Sequence, residues 1–294
     1  MAEITAALIK QLRDKTNAGM MNCKAALKEA DGDLEAAETV LRKKGIAKAE
    51  SKGDREAKEG IIDAALDSDS RVGAILEFTT ETDFVAKNEE FQEFVGTVTT
   101  QIVKEGAGAD TNEAILATSY DGGTLEEGIK AKFIQVGENI SLRRFQRYAV
   151  ADGSQGVIAK YIHLAGKVGV LVEIGCEKAE STSADSFRDL VKDITLQIAA
   201  SAPIAITRDE IDPKILAKER EIYVDQVKDK PANIIDRIVD GKLDKFCSQI
   251  ALLEQAYIKD GDKSIGDLLG SVGKDLGDTL TVRRFARYAV GDGA

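Results

Sequence analysis

The chain has 294 residues, of which 43% are hydrophobic, so it is long and apolar enough for two or three folded domains. It contains no run of about eighteen apolar residues and no basic start followed by an apolar core, so neither a helical membrane span nor a secretory signal is expected. The net charge of −11 disfavours a nucleic-acid-binding surface over the whole chain.

The sequence holds few of the residues on which catalytic motifs depend. Its one histidine, His163, cannot build a His/Cys metal cluster, and no GxSxG serine motif accompanies it. The usual phosphate loops, GxxxxGK(S/T) and GxGxxG, are absent. Cys23, Cys176 and Cys247 are widely spaced and form no CxxC motif, which fits a reduced, cytoplasmic compartment. These features argue against an enzyme and against a bound cofactor, although carboxylate chemistry stays open.

Residues 1–45 are predicted to form three short helices packed as a small bundle. Apolar residues recur at helical spacing in three stretches, separated by turn-forming residues at 17–19 and 31–33. The three sets are Ile4, Leu8 and Leu12; Cys23, Leu27 and Ala30; and Leu34, Ala37 and Leu41. Gly45 follows the basic end of the third helix, where it is expected to stop that helix. A bundle with so small a core is marginally stable, and such a module usually binds something.

Met20 and Met21 follow Gly19 in the loop predicted between the first two helices. Their flexible, polarizable side chains suit an adaptable contact with a partner, and tight packing between helices is the alternative. Residues 46–58 offer almost nothing to bury and are predicted to form a helical or flexible linker.

The stretch Thr82–Asn88 lies between a predicted strand at 72–79 and a predicted helix at 89–105. Asn88 suits the N-cap of that helix, because its side-chain oxygen can accept a hydrogen bond from an amide of the first turn. Phe84 is therefore expected on a short connection. Two interpretations of Phe84 stay open: it is a corner of the hydrophobic core, or it is an exposed wedge beside a carboxylate that serves another protein.

An internal repeat organises the rest of the chain. Residues 137–150 return as 277–290 at an offset of 140, and the strand near 72–78 has a weaker match at 168–174. A helix pattern follows each of these two strands. The repeat predicts two similar α/β units, each made of a strand pair, a helix and a returning strand.

The apolar alternation in the repeated strand slips at Arg143-Arg144, which a β-bulge would explain. The paired arginines fit either a phosphate site or a solvated strand face with cross-strand Glu or Asp partners, and we favour the second interpretation. The second unit carries an insertion at about 209–260, beginning with Asp212-Pro213, which is predicted to form two antiparallel helices. Such a projecting arm is more often a docking device than a catalytic part.

Three stretches together resemble bacterial elongation factor Ts, the family of nucleotide exchange factors for elongation factor Tu. They are residues 4–24, the stretch Thr82–Lys87, and the strand that begins Gly137-Glu138-Asn139-Ile140. The resemblance covers nearly the whole chain. It implies an α+β fold with a ubiquitin-associated (UBA)-like three-helix domain at 1–45, a linker at 46–58, core subdomains at 59–152 and 153–294, and a helical-hairpin insertion at about 209–260.

The resemblance also implies a function in translation. The chain is expected to bind elongation factor Tu carrying GDP and to promote GDP release by disturbing the Mg²⁺ site, without covalent chemistry or a cofactor. The residues expected to act at the partner's Mg²⁺ site are Thr82, Asp83, Phe84 and Val85. Those expected to bind elsewhere on the partner are Lys24, Met20, Met21 and His163.

Several expectations accompany this interpretation. The chain is expected to act in the cytoplasm without direct binding to nucleic acid or membranes, and a 2:2 assembly through the core or the hairpin is left open. Only 291–294 follow the last predicted strand, so the extra C-terminal helix of many family members is expected to be absent. The rival classes are an enzyme on the duplicated core, such as a carboxylate-using isomerase, and a structural adaptor that uses the helical arm.

Overall fold

The computed structural model of the chain describes residues 4–16, 18, 20–52 and 57–292. These residues are a mixture of helices and short antiparallel sheets, as predicted for an α+β fold. Within the described ranges, every helix is too short or too polar to cross a bilayer. The domain boundaries predicted at 45, 58 and 152 stay predictions.

The three-helix bundle consists of α1 (Ala6–Thr16), α2 (Met20–Glu29) and α3 (Leu34–Lys52). Its buried core takes Leu12, Cys23, Leu27, Ala37 and Leu41 from the three predicted sets, together with Ala18 and Ala26. The prediction that Gly45 ends the third helix is wrong, because α3 continues to Lys52. A glycine inside a helix costs only about 1 kcal/mol, so a single glycine is not enough to end the helix. The predicted linker thus begins as helix, and its residues 53–56 lie outside the described residues.

The first unit contains one three-stranded sheet and the helices that surround it. In chain order its elements are β1 (Glu59–Leu66), β2 (Val72–Thr80), α4 (Asp83–Ala86), α5 (Glu89–Glu105), α6 (Asn112–Leu116), β3 (Ser119–Tyr120), β4 (Gly123–Thr124), α7 (Leu125–Val136) and β5 (Ile140–Ala149). The strand order is β1-β2-β5, all antiparallel. Helix α5 has the predicted bounds, and the side chain of Asn88 caps it by accepting a hydrogen bond from the amide of Phe91 at 3.0 Å.

The second unit repeats this plan with the hairpin inserted. Its elements are β6 (Gln155–His163), β7 (Val168–Cys176), α8 (Asp185–Ser201), α9 (Pro213–Gln226), α10 (Ala232–Ile250), β8 (Ala256–Tyr257), β9 (Asp260–Ser264), α11 (Ile265–Leu276) and β10 (Thr281–Ala289). The strand order is β10-β7-β6. Asp212 caps α9 with Pro213 in its first turn, as predicted. Arg220 of α9 binds Asp236 and Asp240 of α10, which holds the two hairpin helices together.

The two sheets pack face to face between two helices, so the core has four layers. Alternate residues of β2, such as Leu76 and Phe78, point toward α5, while Ile75 points toward the second sheet. The same alternation occurs in β7, where Val172 points toward α8 and Leu171 toward the first sheet. The two predicted α/β units are therefore present, and their sheets share one buried cluster.

The repeat extends further than its sequence match. Thr124 and Glu127 form a capping box at the start of α7, and Ser264 and Asp267 form the same box at the start of α11, again 140 residues later. A hairpin of two short strands precedes each of these helices. The sequence comparison did not detect the repeated capping box, because the residue types differ between the two units although the hydrogen bonds are the same.

The paired arginines lie at the interface between the sheets. A register shift occurs at the predicted bulge, so Arg144 lies opposite Glu77 while Arg143 is the extra residue, and Arg284 lies opposite Glu173 with Arg283 extra. The predicted acidic partners are thus confirmed, since each arginine pair binds its glutamate. The predicted solvation holds for the arginines alone, whose side chains are 24–44% exposed, whereas the two glutamates are buried, at 0% and 3% exposed.

The arginines also cross from one sheet to the other. Arg144 donates to the carbonyl of Ala289 and stacks over the ring of Tyr288 at 4.2 Å. Its counterpart Arg284 donates to the carbonyl of Ala149 and stacks over Tyr148 at 4.4 Å. This reciprocal exchange joins the two units across the interface between their sheets.

Candidate protein-interaction site

Phe84 is the most exposed large apolar side chain among the described residues, with 82% of its surface accessible. It lies on α4, a single helical turn between β2 and α5. Val85 and Ala86 on the same turn are buried, at 9% and 4%. The turn therefore directs its smaller apolar side chains inward and its aromatic ring outward, which excludes the interpretation of Phe84 as a core residue.

The start of this turn is held by hydrogen bonds of Thr82. Its side-chain oxygen accepts from the amide of Val85 at 3.4 Å, which makes Thr82 the N-cap of α4. The carboxylate of Glu138 accepts from the amide of Thr82 at 3.1 Å and from its hydroxyl at 2.9 Å. The hydroxyl of Thr80 donates to the carbonyl of Thr82 at 2.8 Å. The connection is thus fixed to the end of β2 and to the loop that precedes β5.

Asp83 lies beside Phe84, and its carboxylate accepts from the ammonium of Lys87 at 2.6 Å. This bond lowers the pKa of Asp83 and raises that of Lys87. Lys167 is near enough to lower the pKa of Asp83 as well, and it binds Glu59 at 2.6 Å. Phe84 therefore stands next to a surface group of two acidic and two basic side chains.

Of the four residues predicted to act at the partner's Mg²⁺ site, Phe84 and Asp83 have side chains that are exposed and free of core packing. Phe84 is exposed, and the carboxylate of Asp83 is 41% exposed. Val85 instead packs in the core of the first unit, and the hydroxyl of Thr82 is engaged by Glu138. Val85 and Thr82 are thus placed to fix the turn from inside.

A second exposed apolar residue, Leu164, follows His163 at the end of β6 and is 67% exposed. Leu164 and Ala165 both have positive φ, at 49° and 51°, a conformation that costs about 1–2 kcal/mol for each non-glycine residue. Gly166 completes this turn at φ 90°, where a Cβ would lie 2.5 Å from Ile61. Sequence analysis missed Leu164, whose only signal was an apolar residue beside a glycine at the end of an alternating strand.

His163 is exposed, and its ring is stacked on that of Tyr161 at 5.7 Å between centroids. Its Nδ1 is 3.0 Å from the Tyr161 hydroxyl. The turn that follows leads to Lys167, whose charge lowers the pKa of Asp83. His163 and Leu164 therefore lie close in sequence to a lysine that influences the Phe84 turn electrostatically.

Met20 and Met21 are 58% and 77% exposed, which excludes the alternative that they pack between helices. They form the first turn of α2 rather than a loop, while Asn17 and Gly19 of the predicted turn lie outside the described residues. Lys24 is exposed one turn further along α2. These three side chains form a separate exposed group on the bundle. The bundle itself contacts the first unit through a 3.3 Å ion pair between Arg42 and Glu127.

The described part of the chain contains no group of three His, Cys, Asp or Glu residues arranged to hold a metal ion. Cys23, Cys176 and Cys247 are all reduced and buried. What the surface offers at Phe84 and Leu164 is exposed apolar area beside charged groups, which suits contact with another protein.

Comparison with known proteins identifies the family of this chain. The sequence profile of the family described as Elongation factor TS matches residues 81–292. Elongation factor Ts of Nostoc punctiforme is 42% identical over an alignment that covers 100% of this chain and 94% of that protein. The proteins of the same name from Clostridium perfringens and Chloroherpeton thalassium are each 41% identical, over 99% of this chain and 94% and 100% of their own lengths. The chain belongs to the elongation factor Ts family.

Proposed function

We propose that this chain binds elongation factor Tu carrying GDP and accelerates GDP release by pressing Phe84 into the partner's nucleotide-binding domain. Family membership makes the chain a translation elongation factor with a role in nucleotide exchange. The observation that carries the finer proposal is the exposed Phe84 ring on a turn whose other apolar side chains are buried. Packing of the hydrophobic core does not require an aromatic ring at position 84.

The chemistry of the partner's site suits such a device. A guanine nucleotide is held largely by phosphate contacts and a bridging Mg²⁺. Mg²⁺ needs near-octahedral geometry at about 2.0–2.1 Å, so a small shift of its ligands weakens it sharply. An exchange factor needs only to deform that site. Phe84 would supply the wedge, with the carboxylate of Asp83 as the polar group beside it.

The energetics require more than one contact. Accelerating release about a thousandfold corresponds to about 4 kcal/mol of coupling. Burying one phenylalanine provides roughly 1.5–3 kcal/mol. Further contacts must therefore hold the partner while Phe84 acts, and we assign these to His163, Met20, Met21 and Lys24. Because the coupling is reciprocal, bound GDP must weaken the affinity of the partner for this chain by the same factor.

The test is the release of fluorescently labelled GDP from purified elongation factor Tu, with and without this chain. We expect a large acceleration in excess Mg²⁺. When a chelator removes Mg²⁺, elongation factor Tu alone should release GDP faster, and the further acceleration by this chain should shrink. Release unchanged by the chain would contradict the exchange proposal, and an undiminished acceleration without Mg²⁺ would contradict action through the metal site.

A further inference from the structure

Glu138 makes the hydrogen bonds that fix the start of the Phe84 turn. This residue lies directly after α7, where Gly137 ends the helix in the left-handed conformation at φ 81°. Its Oε2 accepts from the amide and the hydroxyl of Thr82, at 3.1 and 2.9 Å, and its Oε1 lies 3.1 Å from the same hydroxyl. The neighbouring residues bind in the opposite direction, since the carboxylate of Glu81 accepts from the amide of Asn139 at 2.7 Å. Two glutamates thus join the two chain segments reciprocally.

The second unit has the same device without an exposed aromatic ring. Asp278 is the counterpart of Glu138 in the repeat and also follows a left-handed glycine, Gly277 at φ 61°. Its carboxylate accepts from the amides of Glu177 and Lys178 at 3.0 and 3.1 Å, and from the hydroxyl of Ser181. Each unit therefore uses an acidic side chain after its capped helix to hold its own strand-to-helix connection, and only the first connection carries an exposed ring.

A four-residue helix cannot hold its own shape. Short helices are unstable in isolation, and an exposed ring contributes no packing energy to α4. The conformation that presents Phe84 must come from the buried Val85 and Ala86 and from the hydrogen bonds at its start. Bonds to a charged carboxylate are the stronger kind. A side chain that is already oriented loses less freedom on binding, so more of its contact energy reaches the partner.

We infer that Glu138 is a positioning residue for exchange: its carboxylate holds Thr82, and thereby keeps Phe84 oriented toward the partner before the two proteins meet. This inference rests on the proposed function for its consequence, whereas the orientation itself is a property of the free chain. The two parts can therefore be measured separately.

The first measurement uses the free, full-length chain. The sequence contains no tryptophan, so Phe84→Trp introduces a single fluorescent reporter at the turn. In this background we expect Glu138→Ala to lower the residual fluorescence anisotropy of the reporter, because the turn becomes mobile. The matched control, Asp278→Ala in the same background, should leave the anisotropy unchanged. Equal anisotropy in the Glu138→Ala variant and its parent, or equal loosening by both substitutions, would overturn the inference.

The second measurement is GDP release from elongation factor Tu, with Phe84 in place. When this chain is added at saturating concentration, we expect Glu138→Ala to reduce the maximal rate of GDP release about tenfold. The concentration of the chain that gives half the maximal rate should change less. Glu138→Gln, which keeps one acceptor oxygen, should recover part of the rate, and Asp278→Ala should retain the full rate at a similar cost in melting temperature. An unchanged maximal rate in Glu138→Ala would overturn the role in exchange. A wild-type chain without effect on release would instead overturn the proposed function, while the anisotropy measurement would still decide whether Glu138 holds the turn.

Discussion

Phe84 and Glu77 show how differently two side chains of the same unit contribute to the molecule. The Phe84 ring is 82% exposed and contributes little to folding, whereas Glu77 is 0% exposed and binds both Arg143 and Arg144. Substitution at the first should change binding, and substitution at the second should change stability.

We predict that Phe84→Ala lowers the rate of GDP release from elongation factor Tu about ten- to a hundredfold, which is the loss expected from one buried phenylalanine. The free energy of unfolding should change by less than about 0.5 kcal/mol, because the ring is exposed. Stopped-flow release and urea unfolding measure the two quantities. Ile258→Ala, at another exposed apolar residue that is 48% accessible, is the control and should preserve the release rate. A large loss of stability in Phe84→Ala with full exchange would contradict the prediction.

We predict that Glu77→Ala lowers the free energy of unfolding by about 3–5 kcal/mol, because it leaves two arginines without their buried acceptor. The control is Asp185→Ala, which removes the ion pair between Asp185 and Arg188. The side chain of Asp185 is 95% exposed, so this substitution should cost at most about 1 kcal/mol. Chemical denaturation of both variants measures the difference. Similar small losses would show that the buried network contributes nothing measurable.

The sequence predicted the place of Phe84 but not its direction, since an aromatic residue at a strand-to-helix connection fits a core corner as well as a surface wedge. Leu164 was missed for a related reason, because its exposure follows from a turn with three successive positive φ values. The burial of Glu77 could not be predicted either, because its partners Arg143 and Arg144 are distant in sequence and lie on another strand.

At the scale of elements, prediction succeeded where local periodicity and capping decide the structure. Helix α5 and its Asn88 cap, and the hairpin helices after Asp212-Pro213, have the expected positions. The short elements α6, β3 and β4 were missed, because two to five residues are too few to show a period. The end of α3 was misplaced at Gly45, since one glycine is a weak signal without a tertiary contact to support it.

The N-terminal bundle has its own core, and its described ion pair with the first unit, Arg42 to Glu127, is exposed. We therefore predict that deleting residues 1–50 weakens binding to elongation factor Tu about tenfold or more, through loss of Met20, Met21 and Lys24, while the remaining chain stays folded. Titration calorimetry measures the affinity, and circular dichroism checks the fold. Retained affinity in the shortened chain would show that the bundle does not take part in docking.

At the scale of the whole molecule, the repeat correctly predicted two similar units, but it did not predict that their sheets pack together. That packing depends on contacts between distant residues, which leave no local pattern. The interface buries Tyr148 and partly buries Tyr288, each under an arginine of the other unit. Two tyrosines in such a place make the stability of the core sensitive to high pH.

Burial raises the pKa of Tyr148 and of Tyr288 to about 12, above the value of about 10 expected in the unfolded chain. The folded state therefore keeps protons that the unfolded state loses as pH rises. This contribution to stability is complete below about pH 10 and is lost as pH rises toward about 12. We predict that the double substitution of Tyr148→Phe and Tyr288→Phe makes the free energy of unfolding fall less steeply in this window. Urea unfolding at a series of pH values tests this, and an equal slope in both proteins would contradict it.

The reciprocal arginines have a mechanical consequence. Arg144 and Arg284 each bind a glutamate of their own sheet and a backbone carbonyl of the opposite one, so the two halves of the core cannot swing apart without breaking both sets of bonds. The interface between the two sheets therefore provides no hinge. If Phe84 presses on a partner as proposed, the two halves of the core resist as one rigid body, and the displacement is expected in the partner.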